Sequence, residues 1–216
     1  MDEYTVKSVV LLNKKKYKVL LEGIRNIIIA LYPSEIRRYN IQEGNFLSEE
    51  QYNQIEEVLY KRGKERALYY LKNSDKTTYQ MRSKLKEGLY PEKVIDRVII
   101  FLNTYGYIDD LQYSIRFITY NVNKNSSRKI MEKLRVKGIS KDIIDEAFSN
   151  ICEFDEEFDN HTAEMELIRK QLNKKVRPDM DIQMENKLVM SLVRKGFLYE
   201  DVVSVLKEVK NTIFSV

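Results

Sequence analysis

The 216-residue chain has one cysteine, one histidine and seven glycines, and its longest apolar runs, such as Ile27 to Tyr32, are short. Each scarcity removes a class of protein. Cys152 cannot form an internal disulfide, and without a CxxC or His/Cys cluster a reducing compartment is the economical expectation. Cys152 itself is expected to be a small buried apolar residue. Seven glycines contain no P-loop or Rossmann pattern, and no nucleophile, histidine and acid assemble around His161, which is expected to be an ordinary surface or interfacial side chain. The expectation is a non-enzyme with no cofactor and no metal. No run is long enough to span a bilayer. The first residues, Met1-Asp2-Glu3-Tyr4, are acidic where a secretory signal needs positive charge, so a cytoplasmic protein with no membrane partner is expected.

What is present suffices for a folded core, with 43% hydrophobic residues. Charged residues make up 32% and the net charge is +4, which permits a polyanionic partner without requiring one. Residues 4 to 12 and 17 to 21 are rich in β-branched and aromatic side chains and are separated by Asn13-Lys14-Lys15-Lys16. With Ile27-Ile28-Ile29 they predict a small sheet that ends at Pro33-Ser34. Ser48 and Gln51 then have the spacing of a capping box that opens a helix.

From there the apolar spacing is helical and repeats three times about Leu85, Leu134 and Leu192. Four residues earlier stand Met81, Ile130 and Leu188; five later, Tyr90, Ile139 and Phe197; ten later, Ile95, Ile144 and Val202. The match extends to Val98, Ala147 and Val205, and to Ile99, Phe148 and Leu206. The leucine and the residue one turn before it form the inner stripe of one helix, and the later residues form that of the next. Gly138 and Gly196 sit where a left-handed residue closes a helix at low cost. Helices are expected upstream at 64–73, at 110–122 and from about Glu156 to Lys174. Thr77 with Gln80 gives a second capping box, and Pro91 suits the first turn of a third helix. The expected fold is mainly α, three tandem three-helix units in an elongated curved array behind a small N-terminal β region. The expected divisions are a β region with a short helix (1–47), a connecting helix (48–63) and units at 64–108, 109–152 and 153–216.

Between the first two units lies Tyr105-Gly106-Tyr107-Ile108-Asp109-Asp110, followed by Tyr113. Adjacent acids at a helix start seldom converge on one atom, so a catalytic dyad or metal site is disfavoured. Gly106 is expected to stop one helix and the aspartates to cap the next, a contribution of about 1 kcal/mol. Tyr105, Tyr107 and Tyr113 are expected to pack around the joint.

Charge alternates along the chain. Seven bases, Lys124, Arg128, Lys129, Lys133, Arg135, Lys137 and Lys141, lie among one acid, Glu132. They wrap the outer face of the helix about Leu134 and are candidates for contact with phosphates or an acidic protein rim. Arg194 and Lys195 echo them before Gly196, although the helix dipole also favours cations there. From Asp142 to Glu166 there are ten acids and no lysine or arginine. Such alternation suits a partner that presents both protein and phosphate, while a solvated face remains the plain alternative for each run. Exposed members among the fifteen tyrosines could stack on bases.

The motifs Ala67-Leu68-x-x-Leu71, Lys76-Thr77-x-x-Gln80-Met81-x-x-Lys84-Leu85, GYIDD from Gly106 to Asp110, Arg128-Lys129-Ile130 and Leu134-x-x-Lys137-Gly138-Ile139 resemble the RecX family, bacterial regulators of the RecA recombinase. The likeness is strongest from Ala67 to Phe148. The chain departs from the family pattern at Ser74, Tyr113-Ser114 and Ser126-Ser127. The resemblance implies a monomer of tandem three-helix units that binds in the groove of a RecA filament on single-stranded DNA and inhibits it, touching DNA weakly and without sequence preference. Read from the helices alone, a sequence-specific DNA-binding regulator of helix-turn-helix type is the alternative.

Overall fold

The computed structural model describes residues 4–23, 25–154, 160–177 and 179–214. The chain folds as two compact units, Met1–Asp109 and Asp110–Val216.

Unit 1 begins with β1 (Tyr4–Asn13), β2 (Lys16–Glu22) and β3 (Ile27–Leu31), followed by α1 (Pro33–Arg38) and the two-residue β4 (Phe46–Leu47). The strands form an antiparallel sheet in the order β3-β2-β1-β4. Asn13 pairs with Lys16 across the first hairpin, and the Asn13 side chain accepts from the Lys15 amide at 2.9 Å, a local bond that turns the chain back on itself. Val19 and Leu21 alternate inward on β2, while Val10, Leu11 and Leu12 at the far end of β1 are exposed. Pro33 does not only end the sheet: it opens α1, where a missing amide hydrogen costs nothing.

The long helix α2 (Glu49–Asn73) starts at the expected capping box, with Ser48 and Gln51 bonding each other's backbone. It runs unbroken through residues 63 and 64, so the expected division there falls inside one helix. Gly63 is buried in its middle, where an added Cβ would meet Val98 at 3.0 Å and the Tyr90 ring at 3.5 Å. The glycine makes room for neighbouring side chains rather than a break. Helices α3 (Thr78–Glu87) and α4 (Glu92–Thr104) complete the first three-helix group. Thr77 and Gln80 form the second capping box, and Pro91 stands just before α4. Sheet and helices share one core that includes Val19, Ile29, Ile55, Leu59, Leu85 and Ile95.

Unit 2 holds two further groups: α5 (Asp110–Asn121), α6 (Ser127–Val136) and α7 (Lys141–Phe154), then α8 (Asn160–Asn173), α9 (Ile182–Val193) and α10 (Tyr199–Phe214). The expected start of α8 near Glu156 lies outside the described residues. One core gathers around Ile118, Ile130, Leu134, Ile139 and Ile144, the other around Ile168, Leu188, Leu192, Phe197 and Val202. With Met81, Leu85, Tyr90 and Ile95 in unit 1, the aligned repeat residues are buried in all three groups, except that Phe148 is half-buried.

The turn after each central leucine is the same in all three groups. The amides of Tyr90, Ile139 and Phe197 donate to the carbonyls of Leu85, Leu134 and Leu192 at 3.3, 3.2 and 3.4 Å. The preceding amides, of Leu89, Gly138 and Gly196, donate to Lys86, Arg135 and Val193 at 2.9, 2.8 and 2.9 Å. This paired closure satisfies carbonyls that the helix end would otherwise leave without donors.

Candidate functional site

Gly106 has φ 66° and closes α4, and Asp109 directly precedes α5, whose first turn holds Asp110. The three tyrosines make ring contacts beside this joint in two separate clusters. Tyr105 and Tyr107 are 68% and 50% exposed and cluster with Phe101, their centroids 4.9 and 5.9 Å from it, whereas Tyr113 stacks with Phe117 at 6.2 Å. Large rings next to a turn can lie across a helix end without being covered. Ser114 is fully buried, and its hydroxyl donates to the Asp110 carbonyl at 2.7 Å, which removes the cost of burying it.

On α6 the inward stripe is Ile130 and Leu134, which leaves Arg128, Lys129 and Arg135 exposed and Lys133 and Lys137 half-buried. The helix begins at Ser126, whose hydroxyl accepts from the Lys129 amide at 3.3 Å and donates to the Lys195 carbonyl at 2.8 Å. The turn containing Arg194 and Lys195 is thereby fixed against the start of α6. Gly196, with φ 97°, lies so close that a Cβ there would stand 2.6 Å from the Ser126 hydroxyl oxygen.

The result is a cleft of about 540 Å³ whose lining includes Lys124, Lys129, Lys170, Lys174, Arg194 and Lys195, with no acid among the described residues that line it. Two runs of bases that are distant in sequence meet here. Lys195 donates to Gln171 at 2.6 Å, Lys124 lies 3.4 Å from the Tyr120 ring centroid, and Lys129 pairs with Glu132 at 2.7 Å. That Lys129 bond lowers the Glu132 carboxyl below its ordinary range. Like charges gathered around a concave surface raise the local concentration of anions.

The other candidates do not line the cleft. Lys133 donates to Asn125 at 2.9 Å, and Lys137 sits over the Tyr113 and Phe117 rings at 5.7 and 5.6 Å. Arg128, Arg135 and Lys141 are exposed and make no ion pair with any of the described residues. Sequence reasoning missed Lys170 and Lys174, although their four-residue spacing places them within one helical turn of each other.

The acidic run divides too. Asp142, Asp145 and Glu146 are exposed on α7, but Glu164 is only 9% exposed and accepts from the Ser127 backbone amide. A carboxylate there meets the positive end of the α6 dipole. Ser127 also donates to Asn160 at 2.7 Å. Asp155, Glu156, Glu157 and Asp159 lie outside the described residues. Cys152 is exposed, contrary to expectation, because Ile151 takes the inward position beside it on α7. His161 is exposed, 3.4 Å from Asp201. Among the described residues no group of acids, histidines and cysteines is arranged to hold a metal ion, and no helix is long and apolar enough to cross a membrane.

Comparison with known proteins gives a consistent result. Residues 64–102 match the model of the RecX first three-helix domain. Regulatory protein RecX of Clostridium acetobutylicum is 30% identical over 211 residues, covering 97% of this chain and 98% of its own. That of Clostridium botulinum (strain Alaska E43) is 34% identical over 152 residues, 70% of each chain. Two crystal structures share the fold. One, of a regulatory protein RecX, superposes with TM-score 0.60 at 23% identity, covering 95% of this chain and 99% of that one. The other, RecX from Lactobacillus salivarius, has TM-score 0.58 at 23% identity, covering 71% and 97%.

Proposed function

The chain belongs to the RecX family of regulatory proteins, and from that premise we propose that it binds RecA filaments on single-stranded DNA and lowers their ATPase and strand-exchange activity by contact in the filament groove. It makes and breaks no bond. It acts as a monomer and touches DNA weakly, without sequence preference.

The observation that supports this reading most is the cleft that brings Lys124, Lys129, Lys170, Lys174, Arg194 and Lys195 together. A phosphate backbone entering it would meet several cations at once, while the exposed acids of α7 stand ready for a basic protein surface. Arg128 and Arg135 offer further outward charge.

Adding the protein to preformed RecA filaments at substoichiometric amounts should slow ATP hydrolysis. No slowing over a broad concentration range would overturn the proposal. Replacing Lys129, Lys170 and Lys195 together by alanine should weaken filament binding while circular dichroism stays unchanged. Undiminished binding would reduce the cleft to solvated charge. A preference of about 1000-fold for one duplex sequence over others at physiological salt would favour the helix-turn-helix alternative.

A further inference from the structure

We propose that unit 1 carries a second anion site, one that takes a phosphate group of a nucleotide or nucleic-acid strand, in the cleft between the β1–β2 hairpin tip and α2. It goes beyond the reading above, which draws on unit 2. The cleft is about 440 Å³, within the range of small-ligand sites, and its lining includes Lys15, Lys16, Tyr32, Arg62, Arg66 and Tyr70.

Lys16, Arg62, Arg66 and the turn that carries Lys15 are held in place before any ligand arrives. The Asn13 side chain fixes the hairpin turn through the Lys15 amide at 2.9 Å, and the Lys16 ammonium lies 5.0 Å from the Tyr32 ring centroid. Arg62 lies 4.5 Å from the same ring, donates to the Ala30 carbonyl at 3.1 Å and pairs with Glu35, so it braces the wall with its charge already answered. Arg66 donates through Nε to the Tyr70 hydroxyl at 3.0 Å and lies 4.9 Å from that ring. The bond to Tyr70 holds the Arg66 guanidinium above its ordinary range.

The charge balance identifies the ligand. Glu87 is the acid among the described residues of the lining, and Lys84 pairs with it at 2.8 Å. Lys15, Lys16 and Arg66 have no carboxylate partner among the described residues. A carboxylate would bring one charge to these three cations. A phosphate monoester brings about −1.5 to −2 and three acceptor oxygens, and a strand reaches a similar charge with two successive phosphodiesters, a closer match to several donors. Gly88 maintains the space, because a Cβ there would stand 2.8 Å from the Tyr90 ring.

The test is an amide NMR titration of the full chain with inorganic phosphate, adenosine monophosphate and a short single-stranded oligonucleotide, with oligoglutamate as the carboxylate probe. At least one phosphate probe should shift amides at the hairpin tip and around Arg66 in a saturable way. Affinity should fall roughly tenfold in Lys15→Glu/Lys16→Glu and in Arg66→Gln, as expected for losing a charge-assisted bond. Lys129→Ala in unit 2 should leave the hairpin shifts unchanged. Saturation by the mononucleotide alone assigns a small-ligand site, and saturation by the oligonucleotide alone assigns a backbone contact. The proposal is overturned if no phosphate probe moves these amides, if the shifts survive the hairpin and Arg66 substitutions, or if oligoglutamate binds more tightly than every phosphate probe.

Discussion

Leu89 and Gly138 occupy the same place in successive three-helix groups, four residues beyond Leu85 and Leu134, and both have left-handed backbones, with φ 58° and 81°. Glycine adopts this region freely, whereas an L side chain there costs about 1–2 kcal/mol. Leu89→Gly should therefore stabilise the protein by about 0.5–1 kcal/mol, once the greater freedom of glycine in the unfolded chain is subtracted. Urea denaturation of the two proteins measures it, and a lower midpoint for the glycine variant would show that the half-buried Leu89 side chain outweighs the strain.

Gly196 should tolerate a methyl group less well than Gly106. Both have positive φ, but an added carbon at Gly106 meets none of the described residues within 4 Å, whereas at Gly196 it would lie 2.6 Å from the Ser126 hydroxyl oxygen. Gly106→Ala should cost about 1 kcal/mol, and Gly196→Ala about twice that. Equal losses would mean that the contact with Ser126 relaxes freely.

Lys93 answers a buried charge. Glu56 is 3% exposed, and its carboxylate accepts from the Lys93 ammonium at 2.7 Å. Burial, followed by this neighbouring carboxylate, pushes the Tyr52 hydroxyl above its ordinary range. Lys93→Ala should cost about 1 kcal/mol, because Lys93 is 66% exposed and water can take the place of its ammonium at the carboxylate. The double variant Lys93→Ala/Glu56→Gln should recover part of that loss. A double variant no more stable than the single one would contradict this account.

Tyr90 sets a limit at high pH. Burial raises its hydroxyl from an ordinary value of 10.0 to about 12, so the neutral form belongs to the folded state. Its contribution is intact below pH 10 and is lost as the pH rises towards 12, because the unfolded chain ionises first. The change is on the order of 2 kcal/mol. Stability measured across that range should fall less steeply in Tyr90→Phe, and parallel curves would assign the alkaline loss to other groups.

Local chemistry was the part of this fold that could be read in the sequence. The leucine-centred turns depend on residues within five positions of one another, and capping boxes at Ser48 and Thr77 depend on three, so spacing alone carries them. Gly63 shows where that reading stops. The division expected between residues 63 and 64 falls inside α2, where Gly63 lets Tyr90 and Val98 lie close against the helix. The cleft of unit 2 was half legible: its bases at 124, 129, 194 and 195 stood out as runs, but their meeting depends on Ser126 reaching across to the Lys195 carbonyl. Lys170 and Lys174 gave a weaker signal because neither sits in a long basic run. The exposure of Cys152 runs against its residue type because position on the helix says more about burial than residue type does.

The double role of Ser126 has a thermodynamic corollary. One hydroxyl ties the first turn of α6 to the end of α9, so the two walls of the cleft are joined before a ligand arrives. Association can then proceed without a large loss of internal motion, leaving more of the electrostatic attraction to appear as affinity. Unfastening that hydroxyl would be expected to show itself chiefly as faster departure of whatever the cleft holds.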